Sequence, residues 1–176
     1  ADLDVAMNGV PLQARACYDY QTDAVSSVCI KRNVLRDEPG DVCDVNEDKP
    51  IYTSSAPVQI ASFKQTPRGQ DTIAFSFQIV HNGAGKVYSQ SSETCEDTQQ
   101  ENKVYVEVVN PPEGLDCSAL GGTAGEISMS ESSGRMVTCT YRLPDSRSDY
   151  VQPISLRLSY NYEQMLSTSI NVKPIN

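Results

Sequence analysis

The sequence predicts an all-β sandwich of about nine to eleven short strands with an N-terminal β extension. Three observations carry this. Val outnumbers Leu by 17 to 9, and there are 9 Tyr; β-branched and aromatic side chains suit a pleated, half-buried surface. Apolar and polar residues alternate in run after run, the period of a strand with one buried face. Clusters rich in Gly, Pro and Asn separate the runs at short intervals, the spacing of sandwiches and barrels. Long Ala/Leu/Glu/Lys stretches are absent, so very little helix is expected. A length of 176 residues fits one domain against a prior of roughly 150. Residues 1–55 read as a strand arm and Cys-rich β extension with an acidic loop. Residues 56–176 read as the sandwich core, the two parts forming one structural unit.

Along the chain, Leu3, Val5 and Met7 alternate with polar neighbours until Gly9 and Pro11 break the run. Two further alternating stretches surround Cys17–Tyr20 and Val25–Ile30. LRDEPGDVCDVNEDK, residues 35–49, is an acidic loop with a Pro39-Gly40 turn. APVQIASFKQT is a strand, and 67–70 a turn. In DTIAFSFQIV, Ile73, Phe75, Phe77 and Ile79 share one face. HNGAG is a loop, and KVY opens another strand. Residues 89–102 are polar loop. Val104, Val106 and Val108 alternate in KVYVEVV; EISMSES, GRMVTCTYRL and PISLRLSYNY follow. A turn at 161–164 is expected before a final strand, LSTSINVKPI. No repeat of fixed period occurs.

The charge balance is 14 Lys and Arg against 23 Asp and Glu, a net −9. An acidic surface repels phosphates, which argues against nucleic acid as a partner. No run reaches the 18 or so apolar residues of a membrane-spanning helix. Six cysteines, an even number, imply disulfides and an oxidising compartment. Six allow fifteen pairings, which sequence does not decide. Local closure favours Cys29–Cys43 across the acidic loop and Cys117–Cys139 across a Gly/Ser-rich hairpin. That leaves Cys17–Cys95. No CxxC pair occurs, and the single His81 does not complete a Cys/His zinc site. Export to the extracellular face is therefore expected, with any signal peptide already removed. No N-x-S/T sequon is present.

APVQIASFKQTPRGQDTIAFSFQIVHNGAGKVY reads strand, turn, strand ending in an apolar-polar-N-x-G loop, then strand. This run resembles the CARDB-like immunoglobulin-like domains of prokaryotic, especially archaeal, surface proteins. PISLRLSYNY and SINVKPI look like the last two strands of such a domain, and CYDYQTDAVSSVCI with Cys43 is similar to the Cys-rich part of archaeal exported proteins. The matched segments cover about half of the chain. The resemblance implies an immunoglobulin-like sandwich with an architectural or adhesive role outside the cell. It carries over no catalytic residue.

Read from the residues alone, catalysis has little to work with. A Ser–His–Asp or Cys–His site needs a histidine base, and His81 lies in a short loop with no identifiable orienting partner. There is no GxSxG elbow. GAGK at 83–86 lacks the spacing of a Walker loop and sits between strands. Paired carboxylates remain as the hydrolase reading, with no motif behind them. No enzymatic role is expected. The acidic loop offers a candidate calcium site at Asp44, Asn46 and Asp48, at the alternate spacing of an EF-hand start. It lacks the Gly at the sixth position and has Ser55 where the twelfth-position Glu belongs, so an EF-hand is rejected. Calcium aside, no cofactor is expected.

Leu3, Val5 and Met7 are candidate subunit contacts. A strand of this kind either lies on its own sheet edge or is donated to a neighbouring copy. Donation is head-to-tail and propagates. The functional expectation is an exported structural subunit of an extracellular filament, tube or surface coat, a homo-polymer built by strand pairing. The runner-up is a monomeric surface module for adhesion or ligand binding, with Tyr18, Tyr20, Tyr160 and Tyr162 as its aromatic candidates. A secreted carboxylate-dependent hydrolase is the third reading.

Overall fold

The computed structural model describes residues 7–36, 41–130, 134–145 and 148–172. Among them are eleven strands: β1 (Met7–Ile30), β2 (Asp48–Lys49), β3 (Tyr52–Thr53), β4 (Val58–Pro67), β5 (Thr72–His81), β6 (Lys86–Ser89), β7 (Lys103–Val109), β8 (Leu115–Cys117), β9 (Ala124–Ser128), β10 (Arg135–Arg142) and β11 (Tyr150–Val172). The only helix among these residues is two three-residue 3₁₀ turns. The strands form two antiparallel sheets. The first runs β3-β1-β11-β7-β9, with β6 also paired to β11; the second runs β2-β4-β5-β10-β8. This is an all-β sandwich with three disulfides.

The facing sides are the ones that alternation marks. Ile73, Phe75, Phe77 and Ile79 of β5 are buried, as are Val104, Val106 and Val108 of β7. Leu156 and Leu158 of β11, beside the β7 valines in the first sheet, belong to the same core cluster as the β5 residues of the second. In β4 the inward residues change parity, from Val58 and Ile60 to Phe63 and Gln65, and the register shifts between Ile60 and Ser62. One extra residue in a bulge turns the second half of the strand, keeping Val58 and Ile60 inward on one side of it and Phe63 and Gln65 on the other. Phe63 then stacks on Phe75 at 5.1 Å between ring centroids.

The disulfides join Cys17 to Cys95, Cys29 to Cys43 and Cys117 to Cys139, the pairs that local closure favours. Cys117 and Cys139 are direct cross-strand partners on β8 and β10. Gln65 closes one side of the sandwich: its amide accepts from Cys29 N–H at 2.7 Å and donates to Cys29 C=O at 2.8 Å. A side chain thus satisfies the β1 edge where no strand runs beside it.

Two expectations change. The separate alternating stretches before residue 31 are one strand, β1, which pairs with β11 from Met7↔Val172 to Ile30↔Tyr150. Gly9 does not end it. The register shifts between Met7 and Val10, and Gly9 adopts φ +74°, a left-handed value glycine takes freely, at a bulge. Pro11 is tolerated because β1 has one neighbour there, so its other edge needs no donor. The turn expected at 161–164 is also absent, and β11 continues straight through. Leu3 and Val5 lie outside the described residues.

Phe75→Ala should destabilise the fold by about 3–5 kcal/mol, the usual cost of truncating a fully buried phenylalanine. Urea unfolding of the oxidised protein measures this; a cost below about 1 kcal/mol would place Phe75 outside the core.

Candidate assembly surface

The first sheet is not covered along its whole length. On its far side β11 pairs with β7 through Ser159 and with β6 through Glu163. Among the described residues its only partner beyond Glu163 is β1, and β1 pairs with β3 only at Ala24 and Val25. Residues 7–17 and 163–172 therefore stand out as a two-stranded ribbon, about 30 Å long at roughly 3.4 Å per residue. Residues 9–19 of β1 are exposed except the half-buried Val10, and so are 164–171 of β11.

Directly opposed residues of an antiparallel pair point to one face, so register sorts the ribbon side chains. Val10↔Ile170, Leu12↔Thr168, Ala14↔Leu166, Ala16↔Gln164 and Tyr18↔Tyr162 lie on one side. This side has the parity of Ala24, Val28, Leu156 and Leu158, so the core face of the sheet runs on into the ribbon. No charged residue lies on it. Leu12 is 54%, Leu166 70% and Ile170 45% exposed, although these types are usually buried. The opposite side carries Gln13, Arg15, Cys17, Glu163, Ser167 and Ser169, with the exposed Met165 among them.

The base of the ribbon is clamped on both sides. On the polar side the Cys17–Cys95 disulfide ties it to the segment after β6. Arg15 Nε donates to Glu163 Oε1, and Tyr88 Oη donates to Glu163 Oε2 at 3.2 Å. Glu163 is only 4% exposed. Hydrogen bonding from Arg15 holds its carboxyl below the ordinary value of 4.5. Burial, with the Glu163 charge beside it, pushes the Tyr88 phenol up to about 12. A hollow of about 260 Å³ beside the disulfide is lined by Arg15, Glu93, Glu96 and Glu163, among others. On the core side, Tyr20 stacks on Tyr160 at 5.7 Å, and Tyr18 meets Tyr162 edge-on at 6.0 Å. Tyr162 Oη accepts from Gly85 N–H at 2.7 Å. Gly85 has to be glycine: a Cβ there would fall 2.1 Å from the Glu163 carbonyl oxygen.

The other candidate residues are placed as follows. Met7 is paired with Val172 of its own chain. Asp44 Oδ1 accepts from Asn46 N–H at 2.7 Å, while the Asp48 carboxylate is exposed and 4.0 Å from Lys64. Two buried lysines bond to the loop. Lys31 Nζ donates to Asp41 at 2.6 Å and to Arg36 C=O at 3.0 Å. Lys49 Nζ donates to Asp44 C=O at 2.6 Å and to Glu47. No group of three His, Cys, Asp or Glu able to hold a metal ion occurs among the described residues. His81 is edge-on to Tyr162 at 6.0 Å, its Nε2 makes no hydrogen bond, and burial holds its pKa below 6.5. No helix among the described residues is long and apolar enough to cross a membrane.

Sequence reasoning missed Arg15, Glu163, Leu166 and Ile170. Counting the alternation of β11 onward from Leu158 would have put Leu166 and Ile170 on the core face. Nothing local pairs Arg15 with Glu163, 148 residues apart. Comparison with known proteins finds no matching family model, no matching curated protein and no matching solved structure.

The Glu163 clamp gives a pH signature. A carboxyl whose folded pKa lies below its unfolded one adds stability that is complete above the unfolded value. That stability is lost as pH falls through the folded value. The melting-temperature gap between wild type and Glu163→Gln should therefore be widest at neutral pH and close on acidification below about 4.5. A gap independent of pH would mean the charge of Glu163 plays no part.

Proposed function

We propose that this chain is an exported structural subunit that assembles with copies of itself into a filament, tube or coat outside the cell, the ribbon being the assembling element. The observation that carries this is the uncharged core-parity face of the ribbon, which continues past the sandwich with none of the described strands over it. Covering apolar surface gains about 25 cal/mol per Å² removed from water. A ribbon with leucine and isoleucine on one face and two open edges therefore favours a partner.

In this reading the inserted element is a pair of strands rather than a lone N-terminal strand, because Met7 already has an intramolecular partner. The clamps at its base suit that use, since they hold the ribbon in one orientation before a partner arrives and lower the ordering cost of association. Three disulfides and the absence of a long apolar helix among the described residues are compatible with an extracellular setting.

Sedimentation velocity over a range of concentrations, with negative-stain images of the same samples, tests the proposal. Wild type should form species that grow with concentration. Leu12→Asp with Leu166→Asp should stay monomeric with an unchanged melting temperature, since both positions are already solvated in the monomer. A wild type that remains monomeric at the highest concentration would refute the proposal, and would favour a monomeric ligand-binding module.

A further inference from the structure

The ribbon needs an acceptor, and the same chain offers one. Twelve large apolar side chains are exposed among the described residues. All but Met136 fall into two groups at opposite ends of the β1–β11 pair. Leu12, Tyr18, Met165, Leu166 and Ile170 are on the ribbon or at its base. Val25, Tyr52, Tyr150 and Val151 are at the other end, with Leu35 and Val42 in the loop that follows β1.

Register shows which face Val25, Tyr52 and Val151 use; Tyr150, opposite the buried Ile30, has the core parity instead. Val25 is opposite both Tyr52 on β3 and Ser155 on β11; Ser27 is opposite Pro153, and Cys29 opposite Val151. Their parity is opposite to that of the buried Ala24, Ser26 and Val28, so they lie on the outer face of the first sheet, whose end is covered at Cys29, itself buried and bridged to Cys43. Tyr52 is 72% exposed there. The patch holds no charged residue. At its border Asp23 and Arg157 neutralise each other at 3.0 Å.

Building on the assembly reading, we propose that the ribbon of one copy lies with its apolar face on this outer patch of a second copy. Charge favours that occupant. A chain of net −9 repels its own copies wherever carboxylates meet; the ribbon face carries none, and the carboxylate bordering the patch, Asp23, is paired with Arg157. Geometry favours it as well. The two patches sit on opposite faces of one strand pair, their centres about 13 residues apart, or roughly 45 Å at about 3.4 Å per residue. Shifting a copy by that length along its strands, and by the ~10 Å that separates packed sheets, brings inner ribbon onto outer patch with the strands aligned. The contact is heterologous. It leaves a free ribbon at one end and a free patch at the other, so the row does not close.

The footprint is modest. A two-stranded ribbon about 30 Å long and 10 Å wide covers roughly 300 Å² per side, against about 800 Å² per side in a stable standard interface. An isolated pair therefore dissociates readily, and growth requires high protein concentration.

The test mixes two variants that are each blocked at one end. The ribbon variant carries Leu12→Asp and Leu166→Asp; the patch variant carries Val25→Asp and Tyr52→Asp. Each should be monomeric alone. Mixed at high concentration they should form a 1:1 pair and stop there, because the intact patch of one meets the intact ribbon of the other. If the patch variant assembles as wild type does, the outer patch is not the acceptor, while the ribbon reading survives. If the ribbon variant also assembles, or wild type never does, the assembly reading falls and this inference with it.

A photo-crosslinking residue at Leu12 of otherwise wild-type protein guards against misfolding of the patch variant. Inter-copy crosslinks should map to the segments holding Tyr52, Val25 or Val151. Crosslinks confined to the ribbon of the other copy, or monomers only in the mixture of folded variants, would overturn the head-to-tail contact.

Discussion

The pairing of β1 with β11 organises this molecule. It runs in one register from Val10↔Ile170 to Ile30↔Tyr150 and joins segments at opposite ends of the described chain. The two strands form the middle of the first sheet, with β3 on one flank and β7 and β6 on the other. Because strand side chains alternate strictly, one register decides at once which residues are core and which face out. A slip of one residue would expose Leu156 and Leu158 and bury Asp23 and Arg157. The disulfide from Cys17 and the clamp from Arg15 to Glu163 guard that register at the point where the second sheet no longer does.

The sandwich and the ribbon follow from the same ladder and differ only in what covers it. Over residues 22–30 and 154–162 the second sheet lies against the core-parity face, and burial is nearly complete. Among the described residues the cover ends past the tyrosine cluster, while apolar residues continue at Leu12, Leu166 and Ile170. A two-stranded ribbon has little stability of its own in water. This one extends strands already fixed in a six-stranded sheet, so its alignment costs little additional chain entropy.

Electrostatics are handled locally. In the acidic loop the compensating cations are Lys31 and Lys49, whose ammonium groups are buried and bonded to loop carbonyls and carboxylates. A buried ammonium is tolerated when its donors meet acceptors at this density. The Cys29–Cys43 disulfide closes the same loop against β1. Charge and covalent closure together hold a segment that contributes little apolar surface beyond Val34 and Val45.

Sequence by itself determined the elements whose signal is local. Alternation in DTIAFSFQIV and KVYVEVV marked buried faces, and the polar spans between paired cysteines marked their loops. It did not determine the continuity of β1 and β11. Gly9, Pro11 and the polar run at 161–164 are breakers read locally, yet a partner strand with matching register carries the ladder past them. Asn161 and Glu163 stay in the strand because Ser92 C=O, Arg15 and Tyr88 satisfy them from elsewhere in the chain. In the acidic loop, spacing groups Asp44, Asn46 and Asp48, while the bonds of the loop to Lys31, four residues before it, and to Lys49, at its end, are set by the tertiary structure. Whether an apolar strand face is core or open surface was decided by the tertiary structure alone, because it depends on where the opposing sheet stops.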